Sequence, residues 1–268
     1  MNVLYDAFAE NTRIETELAR LEAQAALSWE AEARRLAALP LPDAPRILEL
    51  GAGPGFVTER LAALFPDAQI TALDRDPRLL EIARSRLGGE RVTTVQADAA
   101  DTGLAASGFD LIVTRYLLQH LDPPQPMLRE ALRLLRPGGL HAVIEVDDGL
   151  WGLAEPSYPA LSRLYARATA LQQADGRDRL AARHLYKLLA ETGYTDVVLD
   201  SFCYTSDALG LEPFLPQLDP SRLMPLVRDG RLSFSDLTIA RLCLEQFKAT
   251  PGARVILLGF IATGRKAR

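Results

Sequence analysis

The stretch Glu49-Leu50-Gly51-Ala52-Gly53-Pro54-Gly55-Phe56 carries three glycines at alternate positions, with an acidic residue two places before the first. Glycine lets a chain turn sharply from strand to helix without Cβ clashes, so a ligand can approach the main chain. The helix end beyond the turn attracts negative charge. A dinucleotide fingerprint would place its third glycine at position 56, which holds Phe, and Pro54 removes one N–H from any phosphate cradle. The turn therefore suits a carboxylate better than a pyrophosphate, and an NAD-linked dehydrogenase ranks last among the readings. Asp74 lies about 20 positions further on, where an acceptor for both hydroxyls of a ribose is expected. Its neighbour Asp76 reads as a helix cap. Asp98, in Gln96-Ala97-Asp98-Ala99, can accept the exocyclic amine of an adenine while a nearby backbone N–H meets a ring nitrogen. The competing reading is a loop aspartate capping its own turn.

Candidates for acid and base chemistry follow. His120 comes just after the fourth predicted strand and ordinarily titrates near neutral pH, which suits a base for a hydroxyl or ammonium acceptor. The alternative is a histidine that holds the Leu121-Asp122-Pro123 turn. Glu145, Asp147 and Asp148 end the fifth strand and form an acidic rim able to receive an amine or a proton, with Glu145 and Asp147 expected to face the pocket. The competing reading is a solvated loop with a cap. Tyr5 and Tyr116 are candidates to line the pocket and Trp151 to wall it, although each is also a common packing residue. His141, within strand five, and His184, on a later helix, pair with no second ligand at metal spacing. Cys203 and Cys243 match no metal or redox pattern and read as buried apolar thiols, so no metal is expected.

These residues need elements to hold them. Residues 13 to 39 read as one long helix, with Ile14, Leu18, Leu21, Ala25, Trp29 and Leu36 at helical spacing and Thr12-x-x-Glu15 as a capping box. From Arg46 onward strand and helix alternate: strands at about 47–50, 69–73, 91–96, 109–114 and 140–146, helices between them, and Pro137-Gly138-Gly139 ending the last of these helices. Such units build a parallel, doubly wound sheet that binds ligands beyond the carboxyl ends of its strands. Helices follow at about 157–173 and 179–192, then strands at about 195–204 and 254–263. The segment 206 to 250 is too long for a loop in a compact sheet and reads as an inserted helical cap, with Phe214, Leu215, Leu218, Leu223, Met224, Leu226 and Phe234 offering an apolar wall.

Glu49 through Gly55, Asp74, Ala97-Asp98-Ala99, Phe109 to Val113 with His120-Leu121, and Leu135-Arg136-Pro137-Gly138-Gly139 together resemble the class I S-adenosylmethionine-dependent methyltransferases. More narrowly, they resemble the small-molecule branch that includes the ubiquinone-biosynthesis type (methyltransferase types 11 and 25). The motif-bearing resemblance covers residues 46 to 146. It implies a Rossmann-like α/β fold of seven strands, the last antiparallel. Around it the residues before the first strand (1–42) read as an N-terminal helical lid over the cofactor mouth or, alternatively, as plain packing on the sheet edge, with 43–205 plus 251–268 as the cofactor-binding domain and 206–250 as the inserted cap. The resemblance places Gly51, Ala52 and Gly53 against the methionine part of S-adenosyl-L-methionine, Glu49 at its amino group, Asp74 on the ribose, and Asp98 with Ala99 on the adenine. Thr114 and Arg115 would border the methionine. Arg75 stands where the family often has an apolar residue against the adenine, so its aliphatic stem would serve there.

The expected activity is methyl transfer to an O, N or C atom of a small, partly apolar metabolite by in-line displacement. The alternatives are a cyclase or isomerase that binds the cofactor without transferring methyl and, behind it, an RNA methyltransferase suggested by the basic tail Arg265-Lys266-Ala267-Arg268. A net charge of -5 provides no broad basic field for nucleic acid. The start lacks a basic and apolar leader, and no run approaches the roughly 20 apolar residues of a membrane span, so a cytoplasmic enzyme with a small-molecule acceptor is expected, compatible with a homodimer.

Overall fold

A computed structural model describes residues 14–150 and 152–268. Helices α1 (Ile14–Leu27) and α2 (Trp29–Ala37) precede β1 (Arg46–Leu50), α3 (Phe56–Leu64), β2 (Gln69–Asp74), α4 (Pro77–Arg86), β3 (Val92–Gln96), β4 (Phe109–Arg115), α5 (Gln125–Leu134) and β5 (Leu135–Glu145). Next come β6 (Gly152–Glu155), α6 (Pro159–Ala174), α7 (Leu185–Thr192) and β7 (Thr195–Thr205). A helical segment with α8 (Ser206–Leu209), α9 (Leu215–Leu218), α10 (Met224–Arg228) and α11 (Phe234–Ala249) then leads to β8 (Arg254–Arg265).

Strands β3-β2-β1-β4-β5 pair in parallel, β8 runs antiparallel to β5, and β7 pairs antiparallel on the far side of β8. The mixed α/β sheet agrees with the sequence reading, but it has eight strands instead of seven. The additional one, β6, pairs with Arg254 to Leu257, whereas β5 meets β8 only from Phe260 onward. The long β8 outruns its neighbour and presents unpaired backbone there, which the four residues of β6 satisfy. So short a run carries no periodicity to read in advance.

Ile47, Leu111 and Val113 pack with Leu36 and Leu61 on one face of the sheet; Leu48, Leu50 and Ile112 pack with Leu128, Leu185 and Leu189 on the other. Successive strand residues thus feed two separate cores, which is what parallel strands covered on both sides require.

The single N-terminal helix of the sequence reading is two helices. The chain breaks at Ser28, whose backbone leaves helical geometry (φ -110°, ψ 0°) and whose buried Oγ–H donates to Glu32 at 2.5 Å. The expected capping residue Thr12 lies outside the described residues. Cys203 is exposed, on edge strand β7, and Cys243 is half-buried, so neither is the core thiol expected. The basic tail is partly tied into the sheet: Lys266 Nζ donates to the Arg133 and Leu135 carbonyls at 3.1 and 2.7 Å, and Arg265 Nη1 to that of Gly138 at 2.7 Å. Among the described residues no helix is long and apolar enough to cross a membrane.

Candidate active site

The glycine turn stands at the end of β1. Gly51, Gly53 and Gly55 all have positive φ (76°, 53° and 82°), and Gly51 and Ala52 both donate to the Leu73 carbonyl of β2, at 2.8 and 2.9 Å. A Cβ on Gly55 would lie 2.8 Å from Leu87 Cδ1 and 3.1 Å from the Ala83 side chain, so this glycine also permits α4 to pack against the turn. A Cβ on Gly53 would meet nothing within 4 Å, and Gly53 borders a cavity. Asp74 accepts from Gly53 N on Oδ2 (2.8 Å) and from Asp76 N on Oδ1 (2.9 Å). Each oxygen keeps capacity for a further donor. Burial raises the Asp74 pKa, against the two backbone donors. Glu49 is 2% exposed and accepts from Thr58 Oγ1 at 2.5 Å. Burial pushes its pKa up to about 7, against the Thr58 hydrogen bond and the Arg115 charge. Asp98 accepts from Ala100 N at 2.8 Å, the turn cap weighed above, while it and Ala99 still line the cavity. Asp76 caps α4 by accepting from Arg78 N.

The two residues after this strand-end set differ from the sequence reading. Thr114 is fully buried and not among the cavity residues; its hydroxyl pairs with His141 Nε2 at 2.8 Å, and His141 Nδ1 with the Tyr194 hydroxyl at 2.8 Å. Burial takes the His141 pKa down to about 3, so this chain of contacts is neutral. Arg115 lines the cavity, but its guanidinium is held by Glu32 (Nε to Oε2, 2.9 Å), Ser28 Oγ (3.0 Å) and the Gln24 carbonyl (3.0 Å), and it lies 4.1 Å from the Tyr116 ring centroid. It therefore fastens the kinked N-terminal helices to the end of β4. Burial disfavours its charge, yet Glu32 more than compensates and raises its pKa.

The cavity measures about 1520 Å³. That exceeds the roughly 300–1,000 Å³ usual for one ligand, leaving room for two. Strand ends supply one side of the lining; α1, the turn after α6 and the helical segment supply the rest, including Arg20, Arg177, Arg179 and Arg222. Asp148 holds Arg179 by two bonds of 3.0 Å, and Gln119 Oε1 accepts a third donor of the same guanidinium. His120 also lines this region. Burial, then the charges of Arg179, Arg177, Arg75 and Arg20, push its pKa down to about 3. The imidazole is neutral at physiological pH, in contrast to the near-neutral titration expected from sequence.

Glu145 is fully buried beneath the cavity wall, accepting from Gln119 N and Nε2 at 3.4 and 3.3 Å. Burial pushes its pKa up to about 8 against those donors. Asp147 is fully buried as well, bonded to Arg183 at 2.6 and 2.7 Å and to Gly149 N. Neither lines the cavity itself, but Glu145 holds the cavity-lining Gln119 and Asp148 the cavity-lining Arg179, whereas Asp147 holds Arg183, which is not among the lining residues. Arg75 and Tyr116 line it; Tyr5 and Trp151 lie outside the described residues. Of the apolar set in the helical segment, Leu215, Leu223 and Met224 border the cavity, Phe214 is in the core, and Phe234 is 66% exposed on the surface.

The residues missed by sequence reasoning are the arginines and Gln119. They are drawn from four elements up to 202 positions apart (20 to 222), and no spacing rule links them. Arg177-Asp178-Arg179, directly after Gly176, is the only local signal.

Residues 47–139 match the family described as "Methyltransferase domain". The chain is 37% identical over 208 residues to the trans-aconitate 2-methyltransferase of Methylobacterium radiotolerans, spanning 70% of this chain and 76% of that one. It is 38% identical over 199 residues to the protein of that name from an Azoarcus species, with 68% and 75% covered. In fold it is similar to phosphoethanolamine N-methyltransferase 2 of Haemonchus contortus, solved with phosphomonomethylethanolamine and S-adenosylhomocysteine (TM-score 0.58, 17% identity, 95% of this chain and 59% of that one). It is also similar to the cyclase SpnF (TM-score 0.53, 21% identity, 98% and 85%).

Proposed function

The chain belongs to the class I S-adenosylmethionine-dependent methyltransferases, and from that premise we propose that it esterifies a small polyanionic organic acid, transferring methyl to a carboxylate oxygen. Its donor is S-adenosyl-L-methionine. The residues fit that group: an open glycine turn, a carboxylate at the end of β2 with spare acceptor capacity, and a second at the end of β3. In this reading the Gly51–Gly53 turn faces the methionine part, Glu49 meets its ammonium, Asp74 the ribose, and Asp98 with Ala99 the adenine. When bound, the donor supplies an electrophilic methyl on a sulfonium.

The observation that carries the acceptor class is the convergence of Arg20, Arg177 and Arg179 on His120, with Arg222 in the same cavity. Clustered guanidiniums are matched by carboxylates and repel amines. The relatives named for trans-aconitate, an unsaturated tricarboxylate, agree with it. A carboxylate is already ionised at neutral pH, so no base is required. Its oxygen forms the new C–O bond as the C–S bond breaks, and the electron pair leaves with sulfur. His120, neutral, is a hydrogen-bonding group for the acceptor. The protein's task is alignment, which is worth several orders of magnitude in rate when the geometry is held. Segment 206–250 serves as the cap that closes the acceptor side, and the N-terminal helices as its lid.

The test is incubation with S-adenosyl-L-methionine and propene-1,2,3-tricarboxylate, followed by mass spectrometry. A gain of one CH2 on the acid with matching S-adenosylhomocysteine is expected. An acid that is rearranged at constant mass, or no turnover of any carboxylic acid by enzyme that binds the donor, overturns the reading.

A further inference from the structure

The arginines of the cavity are not equivalent. Arg179 is already neutralised by Asp148 and oriented by Gln119. Arg20 makes an ion pair with Glu17 at 2.6 Å. Arg222, between α9 and α10, makes one side-chain hydrogen bond, from Nη1 to the Gln217 carbonyl at 3.0 Å, and no ion pair among the described residues. The closest acid in sequence, Asp219, accepts instead from Ser221 N at 2.8 Å. Arg222 lines the cavity and is exposed. A guanidinium has five N–H donors, so one bond to a carbonyl leaves a fork-shaped edge unused. A guanidinium left with free donors in a cavity is matched by a carboxylate, which it can hold bidentately.

We propose that Arg222 is the receptor for a second, non-reacting carboxylate of the acceptor, and that it sets the preference for poly- over monocarboxylic acids. This inference rests on the carboxylic-acid reading above. The two carboxylates must be different ones. Oxygens engaged by a bidentate guanidinium have their lone pairs tied up in charge-assisted bonds and make poor nucleophiles. Arg222 is also contributed by the helical segment, whereas the donor residues sit at the strand ends. An acceptor with one carboxylate can fill either the reacting position or the fork of Arg222. One with two fills both and bridges the segment to the sheet. A monoacid presented to the donor would leave the Arg222 fork unpaired, the situation in which sites built for a polar group discriminate most strongly.

The experiment compares kcat/KM for propene mono-, di- and tricarboxylic acids in the wild type, Arg222→Gln and Arg222→Lys. S-adenosylhomocysteine affinity serves as the check that each variant is folded. The wild type is expected to favour the di- and tricarboxylates by about a hundredfold or more, Arg222→Gln to collapse that ratio to within a few-fold of unity, and Arg222→Lys to restore part of it. Equal loss for mono- and polyacids in Arg222→Gln, or an unchanged ratio, overturns the proposal. Calorimetric binding of propene-1,2,3-tricarboxylate to the S-adenosylhomocysteine-loaded enzyme separates the two levels. Binding that Arg222→Gln weakens about a hundredfold, without turnover, sinks the esterification reading and leaves Arg222 as a polycarboxylate receptor. Binding that Arg222→Gln does not weaken sinks the inference itself.

Discussion

The two halves of the cavity are built on different principles. At the strand ends, backbone does the shaping: three glycines with positive φ, Leu73 accepting from two successive N–H groups, and Asp74 cross-tied to Gly53 and Asp76. The opposite half consists of long side chains from α1, the turn after α6 and the helical segment, several of like charge. In the proposed reading, a donor common to a whole family is met by a preorganised main chain, and an acceptor particular to this chain by side chains that a few substitutions can exchange.

The strongest way to break that division is to cut what joins the halves. Glu32 and Arg115 are 0% and 6% exposed at the side chain and 2.9 Å apart. Glu32→Ala strands a buried guanidinium, and a loss of about 3–5 kcal/mol is expected in denaturant unfolding, with both donor and acceptor affinities falling together. If only acceptor affinity suffers, the two halves are coupled less than this ion pair indicates.

Next in size, Asp74→Ala removes a charged acceptor of two backbone N–H groups and, in the proposed reading, of the ribose, so it is expected to weaken S-adenosylhomocysteine binding by about 2–3 kcal/mol, or about a hundredfold. Tricarboxylate binding, read calorimetrically, should hold.

The halves should also part in their response to pH. Glu49 titrates at about 7 because of burial, so S-adenosyl-L-methionine affinity is expected to fall by up to about tenfold per unit below that value and to level off above it, and Glu49→Gln should flatten the curve. His120, at about 3, leaves the acceptor KM flat between about pH 6 and pH 8. Stability carries the opposite sign. A carboxyl whose pKa is raised in the folded state favours folding fully below its ordinary 4.5, and that contribution is lost as pH rises toward about 7. Glu145 extends the loss to about 8, so the unliganded enzyme should be more stable to denaturant near pH 5 than near pH 8.

The smallest effect tests the fine positioning of Arg179. Thr169 Oγ1 donates to Asp148 Oδ2 at 2.9 Å. Thr169→Val removes one net hydrogen bond, about 0.5–1.5 kcal/mol, and should raise the acceptor KM a few-fold while the donor KM stays put.

This asymmetry also explains what could be read from the residues alone. The turn, the α4 cap at Asp76-Pro77 and the acidic strand ends were legible because each depends on neighbours in the chain. The break at Ser28 was not, since its hydroxyl is engaged by Arg115, 87 positions away. Nor was the burial of Glu145: β5 is covered on both faces and shows no alternation from which a side chain's direction could be taken. The arginines stayed hidden because the positions that gather them are set by tertiary packing.

The junction between β7 and β8 has a wider meaning. Thr205 stands opposite Ile256, so the chain leaves the sheet and returns to it at neighbouring positions, with the whole helical segment between. Closing a longer excursion from fixed ends costs only about 0.6 kcal/mol per doubling of its length. If the helical segment is the acceptor cap, as proposed, the enzyme is arranged as a permanent chassis with a replaceable fitting: another excursion between the same two residues would redirect the chemistry to a new class of molecule while the methyl-donor machinery is inherited intact.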